Sequence, residues 1–244
     1  MVQEKDIVVE NTVIRVVISD DEKTLLAAKA AGRVIVGVIG ENMEKALPMA
    51  RYVAETTDAV TERYLEQVVR REKGMPWIIK ETDRLRIREF MAKDAGQVPE
   101  EPEDQKDDRI FQDQEKLEAY IKEQYGFFGY GLWAVERKED AKIIGKAGIT
   151  QCDEEGRMEL GYHIFAPYRR QGYGEEACRA VLEYVKEEYG CMVYAVAEAS
   201  NEASVGFSCC RTAHLLRCPY QRQNACFWHF VCIPRRVHSN PSFI

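Results

Sequence analysis

Residues 161–185 read GYHIFAPYRRQGYGEEACRAVLEYV, and the fold turns on the middle of this stretch. Pro167-Tyr168-Arg169-Arg170-Gln171-Gly172-Tyr173-Gly174 lies between an apolar run that predicts a strand and an amphipathic run that predicts a long helix. Gly172 and Gly174 allow a tight turn and a close approach of the backbone to a ligand. The helix start presents unpaired N–H groups and the positive end of the helix dipole, a setting that suits a pyrophosphate. Arg169 and Arg170 add charge beside it. The pattern is not a nucleoside-triphosphate loop, because no Gly-Lys-Ser/Thr follows. Nor is it a Rossmann fingerprint, because the strands before it are joined by short turns.

Working toward the N-terminus, GLWAVER (131–137), AKIIGKAGIT (141–150) and RMELGYHIF (157–165) predict three strands of an antiparallel meander. QEKLEAYIKEQYG (114–126) predicts a helix stopped by Gly126, and DRLRIREF (83–90) alternates apolar and charged residues as a half-buried strand does. Between them QVPEEPEDQKDD (97–108) reads as a solvated acidic loop. Working toward the C-terminus, the helix over 174–190 is followed by a short buried strand, CMVYAVAE (191–198). AHLLRCPY (213–220) and CFWHFVCI (226–233) read as the last two strands.

The first 76 residues have a different rhythm. TVIRVVIS (12–19), EKTLLAAKAAG (22–32) and VIVGVIG (34–40) give a strand–helix–strand unit, the mark of a parallel α/β layer. A further helix is expected over 57–72, ended by Gly74 and Pro76. This segment resembles the closing part of haloacid-dehalogenase-like phosphatases, without the strand-borne Asp-x-Asp motif that such enzymes use. A structural or partner-binding appendage is the expectation drawn from it.

The central segment is similar to the GCN5-related N-acetyltransferase (GNAT) family. Arg169-x-x-Gly172-x-Gly174 fits that family's pyrophosphate motif, and the surrounding order looks most like the branch of ribosomal-protein alanine acetyltransferases. ETDRLRIREF (81–90) and NEASVGF (201–207) resemble the same branch, and the resemblance covers about residues 79–234. It implies an α/β (α+β) GNAT fold: a mixed, mostly antiparallel central sheet flanked by helices, over residues 77–236. A small N-terminal α/β domain (1–76) and a loose tail (237–244) complete the expected organisation.

The resemblance also implies a chemistry. Acetyl-CoA, as co-substrate, would enter a V-shaped opening between the strands 157–165 and 191–198, and an amine would attack its thioester directly. Backbone N–H groups of Ile164, Phe165 and Ala166 would polarise the carbonyl oxygen. Arg169, Arg170, Gln171, Gly172, Tyr173, Gly174 and Glu175 would hold the pyrophosphate, with Asn201 and Ser204 beside the pantetheine arm. Glu159 stands where the family often places a general base, and strand alternation puts Glu159, Gly161 and His163 on one face. His163 is therefore the second base candidate. Ser208 occupies the catalytic position from which many members protonate the departing thiolate with a tyrosine.

Composition sets the remaining bounds. The 45% hydrophobic share supports a substantial core, and the net charge of −7 argues against a polyanion-wrapping protein. No apolar run is long enough to span a bilayer, and the acidic start MVQEKDIVVE is unlike a secretory signal, so a cytoplasmic protein without membrane or nucleic-acid partners is expected. The eight cysteines include no pair at zinc-ligand spacing, so they are read as small buried hydrophobes and no metal is expected. The leading function is acetyl transfer to an amine of a small molecule or a protein N-terminus. The alternative is a catalytically weak CoA-binding sensor or scaffold.

Overall fold

A computed structural model describes residues 2–40, 47–101, 106–198, 215–217 and 225–230. The chain divides into two compact units. One comprises the residues up to Trp77 together with Ile121–Gly129; the other comprises Ile78–Tyr120 and the described residues from Tyr130 onward.

The first unit is a four-stranded sheet in the order β1-β2-β3-β4. Strands β1 (Val2–Val9) and β2 (Thr12–Ser19) form a hairpin. Its two turn residues, Glu10 and Asn11, both have positive φ, the geometry a two-residue hairpin requires. Asp21 caps helix α1 (Glu22–Ala30), its carboxylate accepting from the Thr24 N–H at 2.9 Å. Strand β3 (Val34–Val38) then runs parallel to β2, and β4 (Val53–Ala54) parallel to β3. Alternation sends Val16, Ile18, Val34 and Val36 to the face covered by helix α2 (Glu62–Glu72), and Val17 and Ile35 to the face of α1. The helix expected over 57–72 begins only at Glu62, because the Thr61 hydroxyl caps it by accepting from the Tyr64 N–H at 3.1 Å.

The second unit is an eight-stranded sheet. Strands β5 (Ile78–Glu81), β6 (Leu85–Arg88), β7 (Leu132–Arg137), β8 (Lys142–Cys152) and β9 (Met158–Ile164) pair antiparallel in succession. The single strand expected over 83–90 is shorter, and a second strand precedes it. Thr82 closes the turn between β5 and β6, its N–H donating to Leu85 O at 2.9 Å and its hydroxyl accepting from the Leu85 N–H at 2.9 Å. Helix α3 (Gln114–Tyr120) gives way to a π-helical stretch, Ile121–Phe128, where one α-helix was expected to run to Gly126. Gly126 lies against Arg51, whose guanidinium would sit 2.7 Å from any Cβ added there.

Beyond β9 the chain forms helix α4 (Tyr173–Glu188) and strand β10 (Val193–Glu198). Strands β11 (Leu215–Arg217) and β12 (Ala225–Phe230) complete the order β11-β12-β10-β9-β8-β7-β6-β5. The sheet is antiparallel throughout except between β9 and β10. Ala177, Cys178, Val181, Tyr184 and Val185 bury one stripe of α4, which packs on β5, β6, β8 and β9. The mixed, mostly antiparallel sheet is therefore the one expected, and the parallel pair decides where a site can lie.

Candidate active site

The parallel pairing of β9 with β10 is confined to Val193↔Met158 and Tyr194↔Glu159. Past that point β9 runs on to Ile164 and β10 to Glu198 without pairing with each other. Two strands that part in mid-sheet open a notch edged by backbone groups. The first polar side chains at its apex are Glu159 and Tyr194.

At the far end of β9 the chain makes a single 3₁₀ turn, Ala166–Tyr168, and then enters α4. Gly172 is the helix N-cap with φ +80°, a conformation that strains any L side chain, and it offers no side-chain cap to the first N–H groups of the helix. Gly174 sits where helix and strand are close: a Cβ there would lie 3.3 Å from the Tyr162 ring, which would have to give by a few tenths of an ångström. The two glycines thus have different duties: one turns the chain, the other lets helix and strand approach. Arg170, with φ +58°, is the non-glycine residue of this loop held in the left-handed region.

The helix start is pinned from β5–β6. Arg84 Nε donates to Glu176 at 2.7 Å, Arg84 Nη1 donates to Gln171 O at 3.0 Å, and its guanidinium stacks 4.5 Å over the Tyr173 ring. The Thr82 hydroxyl donates to the other Glu176 oxygen at 2.5 Å. Burial works to raise the Glu176 carboxyl, but the donors Thr82 and Arg84 outweigh it and hold the group below its ordinary value. On this side of Gly172 lies an open groove of about 600 Å³, lined by Glu81, Asp83, Glu175 and Glu183 among others. Arg84 and Arg179 also line it, each paired with a glutamate, so its net charge is negative and an anion is better met by the helix N–H groups.

At the apex, Gln151 on β8 donates to Glu159 at 2.6 Å and lies 3.1 Å from the Tyr194 hydroxyl. Burial and the neighbouring Glu159 charge push the Tyr194 phenol upward, against the opposing Gln151 hydrogen bond. Three adjacent strands thus bring a carboxylate, an amide and a phenol together where β9 and β10 part.

His163 is half-buried on the same face as Glu159, and its partner is Glu101, which the sequence reading placed in a solvated loop. The Glu101 side chain is only 6% exposed. Its Oε1 accepts from the Ala166 N–H at 2.6 Å, and its Oε2 accepts from Arg169 Nη2 at 2.9 Å and contacts His163 Nε2. Arg169 Nε donates to Ile164 O at 2.8 Å. Arg169 is therefore folded back along the end of β9, while Arg170 and Gln171 are exposed at the loop. The structure brings Glu159, Ile164, Phe165, Ala166 and residues 169–175 onto one strand–loop–helix path. Asn201, Ser204 and Ser208 lie outside the described residues.

The sequence reading missed Glu101, Arg84, Glu176, Gln151 and Tyr194. Their only sequence signal was an unremarkable polar identity, because all but Gln151, which bonds Glu159 eight residues on, act through residues far along the chain. A smaller correction concerns one cysteine. Cys178 is fully buried, which pushes its thiol up, but Cys152 is exposed on β8 and is not a core residue. Cys209, Cys210, Cys218 and Cys232 lie outside the described residues. Among the described residues no cluster of His, Cys, Asp and Glu could hold a metal ion, and no helix is long and apolar enough to cross a membrane.

The family model of the acetyltransferase (GNAT) domain matches residues 84–208, just over half of the chain. The chain belongs to the GNAT acetyltransferase family. The matched region of this GNAT chain runs from Arg84 through the meander, the Gly172 loop and α4, and the first 83 residues lie outside it. The phosphatase resemblance of those residues finds no support in it, and Asp21 there serves as a helix cap.

The uncharacterised protein YkkB of Bacillus subtilis (strain 168) is 33% identical over 82 residues, which make up 32% of this chain and 47% of that protein. The uncharacterised N-acetyltransferase YjdG of the same organism is 30% identical over 60 residues, 24% of this chain and 36% of the relative. The chain thus spans less than half the length of these curated relatives. Among solved structures, the ribosomal L7/L12 alpha-N-protein acetyltransferase RimL superposes with a TM-score of 0.50 at 10% identity, over 65% of this chain and all of that one. At that identity the likeness concerns the fold alone.

Proposed function

We propose that this chain is an acetyl-CoA-dependent N-acetyltransferase that moves the acetyl group to an amine by direct attack in a ternary complex. The observation that carries the reading is the notch between β9 and β10, with the uncapped start of α4 at one end and Glu159 at the other. Acetyl-CoA supplies the thioester. The N–H groups at the start of α4 would hold its pyrophosphate, helped by Arg170. The backbone from Ile164 to Ala166 would stabilise the negative charge that develops on the carbonyl oxygen. Glu159, oriented by Gln151, would take the proton that the amine loses on attack. Ser208 takes the position from which the leaving thiolate is protonated.

The same reading assigns residues 77–236 to the transferase domain and 1–76 to a small α/β domain of its own. A cationic amine fits the acidic composition of the stretch 97–108, apart from Glu101, whose charge is already paired. Calorimetric titration of acetyl-CoA into the full chain, beside Gly172→Glu with its circular dichroism checked, tests the cofactor site. Binding in the parent and loss in a folded variant are expected; no binding in a folded parent overturns the reading. Acceptor-dependent release of free CoA across a panel of amines then separates an enzyme from a CoA-binding sensor.

A further inference from the structure

Glu101 is a carboxylate held as a bound anion would be held. One oxygen takes the Ala166 N–H at 2.6 Å; the other takes Arg169 Nη2 at 2.9 Å and meets His163 Nε2. Arg169 is aimed at it by its own bond to Ile164 O at 2.8 Å, and Arg169 Nη2 lies 3.3 Å from His163 Nε2. Lys146 is the β8 partner of His163 and so shares its face, buried with its ammonium 4.7 Å from the Phe111 ring centroid. A backbone donor, a guanidinium and an imidazole converge on one carboxylate that is itself only 6% exposed, although Ala166 and Arg169 reach solvent. Charge-assisted hydrogen bonds of this kind are among the stronger ones a protein forms.

With both oxygens engaged, Glu101 is poorly placed to serve as a base. It is well placed to block. The donors it occupies belong to Ala166 and Arg169, on the segment between β9 and α4 that would receive the acyl donor. The Ala166 N–H has one hydrogen to give, and a second anion brought to it would lie against the Glu101 carboxylate and be repelled by it.

We propose that Glu101 is an internal competitor of acetyl-CoA: its carboxylate fills part of the cofactor's donor set in the free protein and leaves Ala166 N–H and Arg169 when the cofactor binds. The inference rests on the cofactor reading above and adds to it a regulation of that same site. The free protein is then divided between a form with Glu101 docked and a competent form, and the apparent dissociation constant is the intrinsic one divided by the competent fraction.

Calorimetric titration of acetyl-CoA into the full-length parent, Glu101→Gln and Glu101→Ala tests it. Expected is an affinity that rises in that order, reaching about tenfold over the parent, or about 1.4 kcal/mol. Affinities that are equal or fall in both variants overturn the proposal. A second measurement needs no cofactor: a double-mutant cycle with Glu101→Gln and Arg169→Gln on the stability of the second unit, read by hydrogen exchange on its peptides. A coupling between the two positions is expected, and strict additivity overturns the contact itself. Coupling in the cycle with no acetyl-CoA binding by any variant would sink both the cofactor reading and the competition, while leaving the internal ion pair in place.

Discussion

Replacing Arg88 by methionine should be among the most damaging single changes available in the second unit. Arg88 is 5% exposed at its side chain, on β6, between two carboxylates that are themselves buried. Its Nε donates to Glu136 at 2.7 Å, and Nη1 and Nη2 donate to Asp94 at 2.7 and 3.2 Å. Nη1 also donates to Glu89 O at 3.0 Å. Methionine fills much of the volume but donates nothing. Glu136 keeps the Arg86 donor at 3.0 Å and Asp94 keeps the Met91 N–H at 2.7 Å, so each carboxylate is left buried and underpaired. Breaking a buried pair on one side costs about 3–5 kcal/mol, a large part of the roughly 5–15 kcal/mol that holds a domain folded. With two compact units, a single unfolding midpoint would mix their responses. Hydrogen exchange read by mass spectrometry on peptides covering β6 and β7 reports the second unit alone. A loss under about 1 kcal/mol would refute the claim that the pair is desolvated. Removing Arg15, whose partners Asp6 and Glu4 are about half exposed, is the contrasting control and should leave that exchange unchanged.

Glu159→Gln should lower kcat by about two to four orders of magnitude, as expected for loss of a general base. KM for acetyl-CoA should change little, and an unchanged kcat in a folded variant would move the base elsewhere, with His163 next. Glu176 carries a pH signature. Its carboxyl is held below its ordinary value of 4.5, so the stabilisation it gives is complete above that value and fades as pH falls through the lowered one. The gap in stability between the parent and Glu176→Gln, read by hydrogen exchange on peptides of the second unit, should therefore close as the solution is acidified below pH 4.5. A gap that stays constant there would mean that the carboxylate is not what Thr82 and Arg84 hold.

The parts of the fold legible in the sequence are those whose signal is local. The meander 131–165 has short apolar runs with polar turn residues between them, and the Gly172-x-Gly174 turn needs no partner to be recognised. Strand β1 escaped because it lies at a sheet edge: Val2 to Asp6 are exposed and only Ile7 and Val9 are buried within it, which leaves no alternation to read. The acidic stretch after Gln97 looked solvated by composition, yet Val98 is buried and the Glu101 carboxylate finds its partners 62 to 68 residues away. Arg84 and Glu176 are likewise separated by 92 residues. Ion pairs of that kind follow from which strands become neighbours, and composition carries no record of it.

The charge around the helix start also bears on how a highly anionic cofactor could be held by a chain of net charge −7. Arg84 is engaged by Glu176, Arg179 by Glu175 at 2.8 Å, and Arg169 by Glu101. Among the described residues Arg170 alone of these loop and helix arginines lacks an ion-pair partner, and its backbone is already held at positive φ. Recognition by free cations is thus scarce in the resting protein. On the proposed cofactor reading, the helix N–H groups would carry most of it, and Arg169 would add to them only once Glu101 withdraws. Departure of the internal carboxylate would remove a negative charge and uncover a positive one at the same point, so the proposed cofactor entry and Glu101 exit would be coupled in sign as well as in space.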